Sequence, residues 1–435
     1  MNKFDFHCIA GYHKVKDELV GLRNLLLNLE SFRRSGVRMP RGVLLYGAPG
    51  VGKTVMARAI AGNDISLVEL RSADCTREGA EDYVLEAFEN ARSQAPCILL
   101  VDELDKLTEG NDMFYMEGND RVMKILLQEL DGQKDNSGVM VVATCNSCDH
   151  INPALLRSGR FDRIIEIGNP TLEDRVEIIG HYLSKIKLEV RLDVEYLAKI
   201  TAGHTGAQLE CMINESGVMA MQEGVSHIDM KTVQRAMNRI AFRALEGQNV
   251  NGDEQWRTAV HEAGHAVVAI MLTPGSLSTA SIISHGQVRG HVRFVRDESL
   301  GESIDEIENK VIIAVAGSAA EEVILGKRYT SSQDDLIKAR RSIFNLVWGI
   351  GAYGIEFAGY AGGRVSDGFA RGSLGEKGEL ICAEKLKEFY ERATRLIREN
   401  RSLAELIAHS LVEKCTLSRE ELLELYRISK EKESA

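Results

Sequence analysis

Three groups of residues in this chain have types and spacings that could do chemistry. The first is His261-Glu262-Ala263-Gly264-His265. On a helix, positions i and i+4 share a face, so the two imidazoles can hold one Zn2+ from two of its four corners. Glu262 lies between them, where it can take a proton from a water on that metal. The second group is Gly47-Ala48-Pro49-Gly50-Val51-Gly52-Lys53-Thr54, which reads G-x-x-x-x-G-K-T. Its glycines let backbone N–H groups face the phosphates of ATP, and a following helix adds its positive N-terminal end. Lys53 should reach the β- and γ-phosphates, and Thr54 should hold Mg2+. The third group sits at the ends of apolar runs. Asp102 is placed to bind Mg2+, Glu103 to orient or deprotonate an attacking water, and Asn146 to contact the γ-phosphate or that water. Asn146 also reads simply as a turn residue after a strand.

These groups need particular elements to position them. Gly42–Tyr46 is an apolar run fit for a buried strand before the glycine loop. Val55, Met56, Ala57, Ala59 and Ile60 give the helix pattern after it. Strand, glycine loop and helix are the context a phosphate-binding loop requires. Cys97–Val101 and Val139–Ala143 read as further buried strands. From Asn169 to about Gly247 the pattern turns helical, with Leu172, Val176, Ile179 and Leu183 on one face. Glu246–Asp253 is polar and rich in Gly and Asn, as a linker would be. The H-E-x-x-H stretch lies in the apolar run Ala259–Ile270. Leu386, Phe389, Ala393, Leu396 and Ile397, then Leu403, Leu406, Ile407 and Leu411, give two more helical stripes that suit core packing. Ten glycines between Gly349 and Gly378 suggest a mobile segment.

The bulk properties narrow the field. The 435 residues are enough for two to four domains. Hydrophobic content of 44% and charged content of 27% are ordinary for a soluble globular protein. A net charge of −11 argues against nucleic acid as a partner. Several of the eight cysteines lie in apolar runs, which suits reduced, buried thiols in a reducing compartment such as the cytoplasm. Cys145-x-x-Cys148 could be half of a zinc site, but no second pair follows at a suitable spacing. No run of 18 or more uncharged apolar residues is present, so membrane association is expected only if a span was removed from the chain. Zinc needs a third protein ligand while one position stays open. Spacing alone leaves Glu321, Glu322, Asp334 and Asp335 as candidates, while His285 and His291 read as strand or loop residues.

Gly47–Thr54, Ile98–Asp105 and Ala143-Thr144-Cys145-Asn146 resemble the AAA family of ring ATPases. Asn152-Pro153-Ala154-Leu155-Leu156-Arg157-Ser158-Gly159-Arg160-Phe161-Asp162-Arg163 strengthens this through its N-P-A-L-L-R-x-G-R-F-D pattern. The resemblance implies that Arg157 and Arg160 reach a neighbouring subunit's γ-phosphate in a ring, usually a homo-hexamer. It also implies nucleotide contacts from Gly47 and Pro49 through Val55, from Ala10, and from Gly206 and Ala207 in a G-x-[ST]-G-A-x-L stretch of a helical lid. Followed by H-E-x-x-H, the motor looks like the FtsH-type family of ATP-dependent zinc metalloproteases, from about Phe6 to about Tyr426. In that family the third zinc ligand is an Asp in a stretch like S-N-D-L, which implies Asp335 within Ser331-Ser332-Gln333-Asp334-Asp335-Leu336.

The fold then expected is an α/β P-loop AAA ATPase domain over 1–168 with a helical lid over 169–247. A mainly α-helical zinc metalloprotease domain follows over 248–435. The implied activity is peptide hydrolysis on unfolded or tagged protein substrates, with zinc, ATP and Mg2+ as cofactors. The alternative is an AAA unfoldase or remodelling ATPase whose peptidase domain is idle or uncoupled. Three departures from the family stand out. The chain begins almost directly at the motor, at Ala10-Gly11, as a soluble relative or a truncated form would. The substrate-gripping loop, here Ser72–Gly79, holds no aromatic residue; Phe114 and Tyr115 of the loop Met113–Met116 either take over gripping or belong to a loop folded onto its own domain. The family's D-G-F appears as Asp131-Gly132-Gln133.

Overall fold

The computed structural model describes residues 5–35, 39–72, 75, 80–107, 113–131, 138–242, 252–283, 290–295, 301–354 and 373–434. The chain divides into two compact units, Met1–Val233 and Gln234–Ala435.

The first unit opens with α1 (His13–Leu27) and α2 (Leu29–Ser35). It then alternates strands and helices: β1 (Gly42–Tyr46), α3 (Lys53–Ala61), β2 (Ser66–Arg71), α4 (Ala80–Ser93), β3 (Cys97–Asp102), α5 (Met113–Leu130), β4 (Val139–Cys145) and β5 (Phe161–Glu166). The five strands form one parallel sheet in the order β2-β3-β4-β1-β5. The apolar runs of β1, β3 and β4 are buried along their length, as strands covered on both faces must be. In this order the carboxyl ends of β1, β3 and β4 lie side by side, and those ends carry the glycine loop, Asp102 and Asn146. The residues 113–116 begin α5 and are not a loop. The side chains of Phe114 and Tyr115 lie outside the described residues, as do most of the stretch 72–79 and both Gly132 and Gln133.

The helical part of this unit comprises α6 (Leu172–Leu183), β6 (Glu189–Arg191), α7 (Val194–Ile200), α8 (Gly206–Gln222) and β7 (His227–Asp229). Two helix starts are capped reciprocally. Thr171 and Asp174 form a capping box on α6, and Thr205 and Gln208 form one on α8. β6 and β7 pair in parallel. α9 (Met230–Phe242) carries the chain into the second unit.

The second unit is mostly helical. α10 (Gly252–Leu272) is followed by β8 (Leu277–Ser281), β9 (His291–Phe294), α11 (Ile304–Ala320), α12 (Gln333–Phe344), α13 (Ser373–Glu399), α14 (Arg401–Lys414), β10 (Thr416–Ser418) and α15 (Arg419–Ser434). Gly252 and Asp253, expected at the end of a linker, are instead the first residues of α10; the linker residues before them lie outside the described residues. β8 is the central strand of an antiparallel sheet ordered β10-β8-β9. α10 is buried at every position from Ala259 to Ile270, so it is the central element of this core and not a surface helix. Phe389, Ala393, Ile397, Leu403, Ile407 and Leu411 join the same core. The glycine-rich segment lies outside the described residues from 355 to 372. Among the described residues no helix is long and apolar enough to cross a membrane.

Candidate zinc centre and nucleotide site

His261 and His265 stand on one face of α10, with their Nε2 atoms 3.1 Å apart. Asp335, in the first turn of α12, places Oδ2 at 3.3 Å from His261 Nε2 and 3.5 Å from His265 Nε2. These three residues form a group whose ligand atoms could hold one metal ion. The spacing fits zinc. Bonds of about 2.0 Å put the corners of a tetrahedral site about 3.3 Å apart. The other ring nitrogens fit as well. His265 Nδ1 lies 2.7 Å from the carbonyl of Ile313, which can only accept, so Nδ1 carries the hydrogen and Nε2 offers its lone pair. His261 Nδ1 is 3.0 Å from Glu321 Oε1.

The other acidic candidates have different surroundings. Glu321 is fully buried at the start of a π-helical turn, Glu321–Leu325. It orients His261 from the side away from Asp335. Its second oxygen, Oε2, accepts from the backbone N–H of Tyr329 at 2.9 Å and faces the Ser332 hydroxyl at 3.4 Å. Glu322 accepts from the Tyr390 hydroxyl at 2.7 Å. Asp334 is exposed. His291 lies on β9 and is not in the group, and His285 lies outside the described residues.

The charges respond to this crowding. Burial alone would lower the pKa of His261, but hydrogen bonds to Asp335 and Glu321 outweigh it and push it up to about 10. Burial would raise Asp335, yet the two histidines hold it well below the usual carboxylate range. A proton and a metal therefore compete for the same lone pairs, and metal binding should release protons. Glu262 is buried in α10 between the two histidines, and that burial raises its carboxyl above the ordinary value. A base raised in this way accepts a proton more readily near neutral pH.

Glycines let the helices come this close. A Cβ on Gly264 would lie 2.5 Å from the carbonyl oxygen of Ala316 on α11. On Gly290 it would lie 2.6 Å from Glu262 Oε1. On Gly317 it would lie 2.5 Å from His261 Nε2 and 2.7 Å from His265 Nε2, inside the space a metal would take. Gly317→Ala should therefore lower zinc content from about one ion per chain to a small fraction, measured by elemental analysis after dialysis. A variant that keeps its full zinc would refute this account of Gly317.

The nucleotide-site residues also come together. Gly52 precedes α3 in the left-handed region, at φ 102°. Lys53 Nζ donates to the carbonyls of Gly47 at 2.8 Å and Ala48 at 3.0 Å, and to Asn146 Oδ1 at 3.0 Å. Asp102 Oδ1 accepts from the hydroxyls of Thr54 at 2.8 Å and Thr144 at 2.6 Å, so the two expected Mg2+ partners touch. Glu103 is exposed and sits in the left-handed region at φ 59°, a strained state for a residue with a side chain. Its N–H donates to Thr144 Oγ1 and its carbonyl accepts from Ser72, which hold it there. Its carboxylate pairs with Lys106.

The glycine loop meets the start of α8: Ala207 N–H donates to the Gly50 carbonyl at 3.1 Å, and Gly206 packs beside it. Pro49 is exposed, Val51 is buried, and Val55 is exposed on α3. Ala10 is half-buried, and the residues after it are tied to α6, Gly11 N–H to Glu177 and Tyr12 N–H to Asp174. The two arginines differ. Arg157 is exposed. Arg160 is held within its own chain by both oxygens of Asp131 and by the Ala154 carbonyl. Thr144, Gly317 and Glu321's role beside His261 were not legible in sequence, where only the small-residue run around Gly317 hints at close packing.

Residues 43–169 match the family model for ATPases associated with various cellular activities (AAA), residues 191–235 the AAA+ lid domain, and residues 248–425 peptidase family M41. The chain is 38% identical to ATP-dependent zinc metalloprotease FtsH 2 of Symbiobacterium thermophilum, over 77% of this chain and 59% of that protein. It is 33% identical to ATP-dependent zinc metalloprotease FtsH of Synechococcus sp., over 96% of this chain and 69% of the relative. It is 32% identical to the FtsH of Thermus thermophilus, over 96% and 70%. The chain thus spans between 59% and 70% of the length of these three relatives. A glycine loop with its acidic and amide partners in one unit, and two histidines and an aspartate converging in the other, agree with those matches. The chain belongs to the FtsH-type family of ATP-dependent zinc metalloproteases.

Proposed function

We propose that this chain cleaves peptide bonds of unfolded or tagged protein substrates at a zinc held by His261, His265 and Asp335, and that ATP hydrolysis at Lys53 delivers those substrates. The carrying observation is the convergence of three ligand atoms at 3.1 to 3.5 Å beside a buried carboxylate, Glu262. Zinc, when bound, polarises the scissile carbonyl and lowers the pKa of water to about 7. Glu262 takes the proton of the attacking water and returns it to the leaving amine. Glu321 and the Ile313 carbonyl fix the two imidazole rings in the orientation the ligands need.

At the other site, Lys53 balances the charge of the β- and γ-phosphates, and Thr54 and Asp102 would hold Mg2+, which draws charge from the phosphates. Glu103 and Asn146 align the attacking water. Arg157 reaches the γ-phosphate of a neighbouring subunit in a homo-hexamer, while Arg160, bonded to Asp131, braces the loop that presents it.

One assay tests the whole reading. Zinc content is measured first, then degradation of an unfolded protein with and without ATP. About one zinc per chain and ATP-dependent degradation are expected. Degradation that is indifferent to ATP, or that survives complete removal of zinc, would overturn it.

A further inference from the structure

Cys145 closes β4, and Cys148 opens a short 3-10 turn, Cys148–His150. Asn146 and Ser147 lie between them. Ser147 is extended, its hydroxyl accepts from the Asp149 N–H at 3.1 Å, and Ile151 N–H donates to the Cys148 carbonyl at 3.1 Å. This turn brings the two thiols close enough to interact with each other. Cys145 is buried and Cys148 is half-buried. The residue they bracket is part of the nucleotide site: Asn146 N–H donates to Asp105 Oδ2 at 2.8 Å, and Asn146 Oδ1 accepts from Lys53. Among the described residues, no His, Asp or Glu completes a metal-ligand group with this pair. What remains to it is the chemistry of two neighbouring sulfurs.

We propose that Cys145 and Cys148 are a dithiol–disulfide switch built over the nucleotide site, whose closure moves Asn146 off Lys53 and stops ATP hydrolysis. The inference rests on the proposed role of Asn146 in ATP turnover. A disulfide draws the sulfurs to about 2.05 Å, well inside any non-bonded contact, and both ends of the four-residue loop must follow. The oxidant is a small disulfide such as oxidised glutathione. The Cys148 thiolate attacks one of its sulfurs; the glutathione S–S bond breaks, one glutathione thiol leaves, and a mixed disulfide forms. The Cys145 thiolate then attacks the Cys148 sulfur and expels the second glutathione thiol. Two protein thiols are oxidised, one glutathione disulfide is reduced, and the two protons end on the two glutathione thiols. Burial pushes the Cys145 thiol up to about 12 and raises Cys148 as well. Little thiolate is therefore present near neutral pH, so oxidation of the pair is slow there and accelerates as pH rises.

The test uses the full chain, reduced or treated with excess oxidised glutathione, and reads ATPase activity, short-peptide cleavage and a peptide map. Expected are an internal Cys145–Cys148 disulfide, an ATPase loss of at least about tenfold reversed by dithiothreitol, and unchanged peptide cleavage, since the metal cluster contains no cysteine. Cys148→Ser should hydrolyse ATP normally and keep that activity in the oxidant. The switch is overturned if the reduced protein is an active ATPase but no such disulfide forms, or if turnover is unmoved by it. It is also overturned if Cys148→Ser loses activity to the oxidant as wild type does. A reduced wild type without ATPase activity instead strikes the underlying reading of the nucleotide site, and the switch falls with it.

Discussion

Glu262→Gln should reduce peptide cleavage by about 10²- to 10⁴-fold, the usual contribution of a positioned acid–base group. Zinc content and ATP hydrolysis should stay at wild-type levels. The substitution keeps the shape of a side chain that is buried in the middle of α10, so the helix and its two histidines remain in place. Glu262 is absent from the converging ligand group, which is why loss of its charge should spare the metal. Measured cleavage of a short fluorogenic peptide, with zinc quantified on the same sample, separates the two roles. Residual cleavage near the wild-type rate would show that another group moves the proton.

Lys53→Ala should have the opposite profile. ATP hydrolysis should fall by about 10²- to 10³-fold, the scale seen when one preorganised electrostatic donor is removed. Degradation of an unfolded protein should fall with it, while a short peptide that needs no unfolding should still be cut. Lys53 bridges the glycine loop and Asn146, through Gly47, Ala48 and Asn146 itself. A phosphate-release assay beside the peptide assay reads both effects. Parallel loss of peptide cleavage in a variant that assembles normally would mean the two chemistries are not separable.

Local patterns carried most of the first unit. The runs at 42–46, 97–101 and 139–143 are legible as strands because they are continuous, apolar and too short for a buried helix, and a sheet covered on both faces buries such segments. The glycine loop is equally local, since its donors lie within eight residues of one another. The zinc centre was half local. An i, i+4 pair announces itself, but Asp335 is 74 residues beyond His261, and no periodicity spans that distance. Spacing left four carboxylates open, and the reason is physical: Glu321 does touch His261, at the nitrogen opposite Asp335. Residue type alone does not distinguish a ligand from the group that orients a ligand. Arg160 shows the same gap, since its pairing with Asp131 joins residues 29 apart through a fold the motif does not describe. Polar residues on both sides of Met113–Met116 suggest a loop, yet these residues form the first turn of α5.

Glu321 divides its two oxygens between His261 and the backbone at Tyr329, six residues before Asp335. One carboxylate therefore couples a ligand on one helix to the segment that delivers a ligand from another. Much of the ordering entropy of assembling the site is spent when the protein folds, before any ion arrives, which favours tight and rapid metal uptake. The same coupling makes the ligands a cooperative set. A disturbance at the Tyr329–Ser332 turn is transmitted to the imidazole of His261, so the affinity of this site for a metal would be a property of a tertiary contact as much as of three side chains.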